Sequence, residues 1–154
     1  MKRRVAVRAL VVDGAKVLAV NLTDYGGVKR SHYWCTPGGG VDPGEALEAA
    51  LEREMLEETG VRPEIGSLLY IQQFIYDGRE EIEEQLEFFF HVKNTEDFRA
   101  IDLTKTTHGV LEIGHIDFVD PAEYTLLPKF LGQENIAEHI ASNGPVKIFN
   151  YIEN

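Results

Sequence analysis

One cysteine, one tryptophan, two methionines and a shortage of basic residues set this 154-residue sequence apart. With Cys35 alone no intrachain disulfide can form, so nothing points to an oxidising compartment and a cytoplasmic setting is expected. No apolar run approaches the roughly 20 residues of a membrane-spanning helix. The start, MKRRVAVRALVV, has the basic and apolar ingredients of an export signal. Its apolar run is broken by Arg8, ends at Val12 ahead of Asp13-Gly14, and is followed by no small-residue cleavage site. A soluble protein without a membrane partner is therefore expected. Lys and Arg number 15 against 26 Asp and Glu, a net charge of -11, and that field repels polyanions, which excludes a nucleic-acid polymer as partner. The 44% hydrophobic and 27% charged content excludes disordered and fibrous classes and predicts one domain over residues 1–154.

The negative charge is unevenly placed. Residues 1–30 hold seven basic residues (Lys2, Arg3, Arg4, Arg8, Lys16, Lys29, Arg30) and only Asp13 and Asp24 as acids. Two later segments are dense in carboxylates, six within residues 45–58 and five within residues 80–87.

Val5, Val7, Ala9 and Val11 alternate with Arg4, Ala6, Arg8 and Leu10, and Val17, Leu18, Ala19, Val20 and Leu22 follow Asp13-Gly14. An Asp-Gly pair tolerates positive φ, so this pattern predicts a β-hairpin. Residues 33–35 read as a short strand running into Pro37-Gly38-Gly39-Gly40, a loop whose backbone can approach a ligand closely. Asp42, Pro43 and Gly44 supply helix-start chemistry, residues 45–58 are good helix formers, and Thr59-Gly60 stops them. Downstream, strands are expected over 67–76 and 86–92 around a charged loop at 77–84, with a short strand at 116–119. A turn at 121–124, a closing helix over 128–141 and a last strand over 146–152 complete the reading. Strands flanking a central helix, mostly in hairpin order, predict an α/β (α+β) sandwich. The last strand leaves open pairing within the chain or across a homodimer.

Placed at about 100° per residue from Glu45, Leu47, Ala50 and Leu51 centre a buried face that Glu54, Glu57 and Glu58 continue. Glu45, Glu48 and Glu52 fall opposite, on an ordinary solvated face, while Met55 and Leu56 lie outside the stripe and also favour burial. Carboxylates spaced i, i+3 and i+4 on a half-buried face repel unless a cation neutralises them, and oxygen-only ligation favours Mg²⁺ or Mn²⁺ over zinc. Arg53, one turn before Glu57, can pair with it and orient it. An acid-rich surface helix with an ordinary Arg53–Glu57 pair accounts for the same spacing, and helix geometry alone does not choose.

Residues 39–61, GGVDPGEALEAALEREMLEETGV, resemble the Nudix box GX5EX7REUXEEXGU, where U is a bulky aliphatic. Gly39, Glu45, Arg53, Glu54, Met55, Glu57, Glu58, Gly60 and Val61 occupy its fixed positions. Trp34, Pro37 and Gly38 ahead of the box are also similar to this MutT-like family. The resemblance implies an α/β/α sandwich with a mixed β-sheet. It implies that Glu54, Glu57 and Glu58 bind Mg²⁺ or Mn²⁺, often joined by the Gly39 carbonyl, while Glu45 and Arg53 support the loop and helix. It further implies water attack on a phosphorus of a small nucleoside diphosphate derivative. Pyrophosphohydrolysis of a (d)NTP, of MutT type, is the enzymatic alternative. A nucleotide-binding sensor without turnover fits less well, because the box glutamates are intact.

Family branches place the general base differently. Glu54 is the first candidate within the box, Glu112 the first outside it, and the acids of 80–87 are rivals. Arg4 and Arg8 on one strand face, and Lys29 and Arg30 before Trp34, are candidates for phosphate contacts. Tyr33, Trp34, Phe74 and Tyr76 are candidates for stacking on a base. The proline that marks ADP-ribose-cleaving members beyond the box is absent, whereas Tyr76 stands near a tyrosine of dinucleoside polyphosphate members. Histidines 32, 91, 108, 115 and 139 show no metal-ligand spacing.

Overall fold

The Asp13-Gly14 turn forms as expected, with Gly14 at φ 61°, but it joins different strands from those the alternation suggests. The computed structural model describes residues 1–22, 32–77, 81–102, 106 and 113–154. In it the turn connects β2 (Val12–Asp13) to β3 (Lys16–Leu22), while β1 (Lys2–Leu10) belongs to another sheet. The reason lies in β1 and the residue after it, where Ala6, Val7, Ala9, Leu10 and Val11 are all fully buried. A strand apolar on both faces needs cover on both, which a surface hairpin cannot supply.

The remaining elements are β4 (Trp34–Cys35), β5 (Gly38–Gly40), α1 (Leu47–Thr59), β6 (Ile65–Asp77), β7 (Ile82–Val92), β8 (Ile113–Val119), β9 (Leu126–Leu127), α2 (Ile136–Ala141) and β10 (Lys147–Asn150). One sheet runs β10-β6-β7-β1-β5; the other runs β2-β3-β4-β9, with β8 also paired to β3. Both are mixed: β1 is parallel to β7 and β10 to β6, whereas β6–β7, β1–β5 and β3–β8 are antiparallel. No described helix is long and apolar enough to cross a membrane.

Two expectations change on folding, and the last strand, whose partner was left open, finds one. The charged loop at 77–84 is shorter, because β6 and β7 pair out to Asp77 and Ile82 and draw Glu83 and Glu84 into the strand. The closing helix over 128–141 is split into a 3-10 turn at Lys129–Gly132 and α2. Asn135 restarts it by accepting the Glu138 N–H at 3.1 Å, a capping bond that competes with helix continuation. The last strand pairs within the chain, along β6.

Period-2 alternation gives the first sheet two different faces. Val7, Ala9, Phe90 and Val92 meet Ala50, Leu51 and Met55 of α1 in one cluster, and Leu10, Tyr70 and Phe89 meet Phe130 and Leu131 in the other. The second face changes character along its strands. Beyond Leu10, Tyr70 and Phe89, the in-phase positions are Arg8, Ala6 and Arg4 on β1, Gln72 and Phe74 on β6, and Glu87 and Gln85 on β7. One end is sealed core; the other is polar and open.

The parallel β1–β7 register also explains the acidic run at 80–87. Lys2 stands opposite Glu83 and Arg3 opposite Glu84. Arg3 pairs with Glu84, whose carboxyl is held below its usual range by Arg3 and then by Gln73. Lys2 lies 4.0 Å from Glu81. The basic start of the chain is thus laid along its acidic middle.

Candidate active site

Asp42-Pro43-Gly44 forms a turn ahead of α1 rather than its first residues: the Glu45 N–H donates to the Asp42 carbonyl at 3.0 Å. Ala46 precedes α1 without a side-chain cap, and Gly60 ends it at φ 73° with its N–H on the Leu56 carbonyl. Glu45 consequently leaves the solvated face expected for it and folds back, its Oε1 accepting the Asp42 N–H at 3.1 Å.

Arg53 gathers this region. Its Nε donates to Glu45 Oε2 at 2.9 Å, its Nη2 to Glu45 Oε1 at 2.8 Å and to the Gly40 carbonyl at 2.9 Å, and its Nη1 to Glu54 Oε1 at 2.8 Å. Glu57 is farther, at 3.7 Å, so the expected i,i+4 pair is the weakest of these contacts. The Glu45 carboxyl is pushed down to about 2, first by the hydrogen bonds from Arg53 and then by the Asp42 N–H. Two parallel N–H···O bonds make a bidentate pair of this kind more directional than a single-contact ion pair.

Glu54 lies against the Gly39 backbone. A Cβ at Gly39 would stand 2.5 Å and 2.6 Å from its Oε2 and Oε1, so only glycine admits the carboxylate here. One residue earlier the Gly38 N–H donates to Glu58 Oε2 at 3.1 Å. Gly38 itself has φ 142°, and a Cβ there would overlap the Val7 carbonyl across the β1–β5 pair. The expected glycine loop is therefore a strand, β5, whose glycines bring its backbone onto β1 and onto the helix carboxylates.

Three acidic side chains and the Gly39 carbonyl form an all-oxygen donor set suited to a hard divalent cation. In the described conformation Glu54 is engaged by Arg53 and Glu58 by Gly38, and no three His, Cys, Asp or Glu side chains among the described residues converge as a metal-holding group. The donor chemistry and the glycine cradle fit a metal. Each of those hydrogen bonds engages one oxygen of its carboxylate, and a carboxylate, with lone pairs on both oxygens, accepts such a bond and an ion together.

Beside Gly38, a cavity of about 340 Å³ is lined by Arg8, Leu22, Tyr33, Cys35, Thr36, Gln72, Phe74, Glu87, Leu127 and Pro128. Burial pushes the Cys35 thiol up to about 11, with Arg8 opposing and the Glu58 and Glu87 carboxylates reinforcing the shift. The link to α1 is Gly38, which lies two residues beyond the cavity-lining Thr36 and donates its N–H to Glu58. A second opening, bordered by Arg4, Phe74, Tyr76, Glu83, Gln85 and Glu87, adjoins it through the shared Phe74 and Glu87.

Arg53 thus contacts Glu54 and Glu57, Glu54 and Glu58 lie against the neighbouring glycines of β5, and Arg8 lines a cavity of its own. Tyr76 is 54% exposed at the outer opening. Trp34 is not among the cavity-lining residues, since Tyr33 and Cys35 take those positions and strand alternation turns Trp34 away, against His115 and Tyr124. Arg30, Lys29 and Glu112 lie outside the described residues. Sequence reasoning missed Thr36 and Gln72 and had Glu87 only among the rival acids for the general base. The signal for Gln72 and Glu87 was a polar residue in phase with the buried Tyr70 and Phe89 inside otherwise apolar strands.

The NUDIX domain profile matches residues 2–139. Nucleoside diphosphate-linked moiety X motif 6 of Xenopus laevis is 44% identical over 69 residues, 45% of this chain and 30% of that protein. Nucleoside triphosphatase NudI of Escherichia coli is 40% identical over 60 residues, 39% of this chain and 42% of that one. The chain therefore matches less than half the length of either relative. Among solved structures, a NUDIX hydrolase from Nitrosomonas europaea superposes with a TM-score of 0.63 at 22% identity, covering 92% of this chain and 90% of that one, a likeness of fold. A box filled at every fixed position, its glycines and carboxylates in mutual contact, and a profile spanning nearly the whole sequence lead to one conclusion: the chain belongs to the NUDIX domain family.

Proposed function

We propose that this protein, as one domain over residues 1–154, is a divalent-metal-dependent hydrolase that cleaves the diphosphate linkage of a small nucleoside diphosphate derivative. The observation that carries the reading is the Glu54 carboxylate seated on Gly39 and held by an Arg53 that also grips Glu45. Glu54, Glu57, Glu58 and the Gly39 carbonyl would hold Mg²⁺ or Mn²⁺. When bound, the ion lowers the pKa of a coordinated water and offsets charge on the diphosphate.

The protein's own residues do the rest. Arg53 keeps the β5 backbone, Glu45 and Glu54 in fixed relation, so the helix carboxylates face one place. Glu54 accepts the proton of the attacking water as its oxygen bonds to phosphorus, the anhydride P–O bond breaks, and the phosphate half departs. Glu112 is the proposed rival for that proton. Arg4 meets negative charge at the mouth, and the cavity walls, Arg8 among them, take the base. Pockets of this size, largely apolar with a few aimed polar groups, suit a nucleoside-sized ligand. A reducing cytoplasm is the proposed setting for its single, half-buried thiol.

The test is a panel of nucleotide sugars, ADP-ribose, dinucleoside polyphosphates and (d)NTPs with Mg²⁺ or Mn²⁺, the products being resolved chromatographically. Cleavage to a nucleoside monophosphate and a phosphorylated second group supports the proposal. Release of pyrophosphate from (d)NTPs favours the alternative, which the name of the NudI relative supports. No metal-dependent cleavage of any member favours a nucleotide sensor.

A further inference from the structure

Three side chains cross the floor of the cavity in the order of their strands, Gln72 on β6, Glu87 on β7 and Arg8 on β1. Gln72 and Glu87 are register partners, and Arg8, which stands opposite Phe89 on the parallel β1, reaches Glu87 on the diagonal. Gln72 Nε2 donates to Glu87 Oε2 at 3.3 Å, and Arg8 Nη2 stands 3.5 Å from Glu87 Oε1. Gln72 and Glu87 are 5% and 7% exposed in a face whose continuation is Tyr70 and Phe89. Buried polar groups need partners, and Gln72, Glu87 and Arg8 satisfy part of that need on one another. Thr36, 1% exposed on the same wall, has a hydroxyl with no hydrogen-bond partner.

A carboxylate only accepts and a guanidinium only donates, so the row reads donor, acceptor, donor, with its acceptor in the middle. The complementary edge is a ring N–H between two carbonyls, which is that of uracil and thymine. Guanine matches at O6 and N1–H, and its N2 amino group is met when the Gln72 amide turns its oxygen inward. Adenine and cytosine present a ring nitrogen lone pair at the centre, against the Glu87 carboxylate. Carboxylate oxygens retain lone pairs beyond those already engaged, and Arg8 retains N–H groups beyond those on Glu87 and the Thr36 carbonyl.

Resting on the hydrolase reading above, we infer that Glu87, flanked by Gln72 and Arg8, selects substrates whose base is keto (uracil, thymine or guanine) and rejects the amino bases adenine and cytosine. Glu87 acts on the base alone and has no part in the phosphorus chemistry.

The test is binding without turnover. The 5′-monophosphates of uridine, guanosine, adenosine and cytidine carry the same phosphate and are titrated into the wild-type chain and into Glu87→Gln, followed by NMR shifts, with melting curves to confirm folding. UMP and GMP are expected to bind wild type roughly tenfold or more tightly than AMP and CMP, and a folded Glu87→Gln should narrow that ratio to about twofold. Equal binding of all four by wild type, a preference for AMP or CMP, no binding of any, or an unchanged ratio in a folded variant would each overturn the inference. If Glu87→Gln does not fold, the wild-type ratio alone decides. Keto-selective binding with no cleavage anywhere on the substrate panel would overturn the hydrolase reading and leave base selection standing. Cleavage without base preference does the reverse.

Discussion

Arg53 holds Glu45 through two parallel hydrogen bonds, Nε to Oε2 at 2.9 Å and Nη2 to Oε1 at 2.8 Å, and so ties the turn before α1 to the second turn of that helix. The same guanidinium reaches the Gly40 carbonyl and Glu54, so strand, turn and helix share one planar fork. Lysine offers a point charge without the fork. Arg53→Lys is expected to remain folded and to lose roughly a hundredfold in kcat, the scale of a one-ångström misplacement. Steady-state kinetics beside a melting curve checks this, and a kcat near wild type would remove Arg53 from its positioning role.

The depressed Glu45 carboxyl sets an acid limit. Its pKa falls from 4.5 to about 2 on folding, so between these values the unfolded chain binds more protons. The stability contributed by Glu45 is complete above about pH 4.5 and is lost as pH falls toward 2. Urea midpoints measured across that window should drop more steeply for wild type than for Glu45→Gln. Parallel profiles would show that the pair contributes nothing there.

Gly39 and Gly38 separate activity from folding. In Gly39→Ala the new Cβ displaces the Glu54 carboxylate, a side-chain clash that the fold can absorb. Activity should fall by on the order of a hundredfold with a modest change in melting. Gly38→Ala meets the Val7 backbone and a φ of 142°, and strain of that kind costs about 1–3 kcal/mol before the clash is counted. Chemical denaturation of both variants distinguishes the two cases.

Glu57→Gln removes one carboxylate from the helix face while leaving the Arg53–Glu45–Glu54 contacts in place. Expected outcomes are a wild-type fold, loss of most turnover and weaker Mn²⁺ binding by calorimetry. A chelator should abolish wild-type activity, and added Mg²⁺ or Mn²⁺ should restore it. Full activity in Glu57→Gln would exclude it as a metal ligand.

Phe89 is fully buried on β7, its ring 5.4 Å from that of Phe130. Phe89→Ala should cost about 3–5 kcal/mol by equilibrium unfolding, the usual scale for a truncated core aromatic. A cost below 1 kcal/mol would mean that this core collapses to fill the space.

The box and its helix were legible because their chemistry is local. Glu54, Glu57 and Glu58 share a face through the helical repeat alone, and Gly60 stops that helix through its own backbone freedom. The hairpin was misread because alternation reports which residues seek burial and not which neighbour supplies it. Both faces of β1 are covered, one by α1 and the other by the second core cluster, and neither is close in sequence.

The sequence by itself determined a metal-suited set of carboxylates on one helix, the glycines that let a strand lie against it, and an acidic chain with a basic start. Tertiary structure alone decided what that basic start meets. In the parallel β1–β7 register Lys2 and Arg3 are placed beside Glu81 and Glu84, while Arg4 and Arg8 turn to the open face. It also gathered Thr36, Gln72, Glu87 and Arg8, drawn from four strand or loop segments, around one cavity. No local pattern encodes that meeting, because hydrogen bonding between strands distant in sequence fixes which side chains become neighbours.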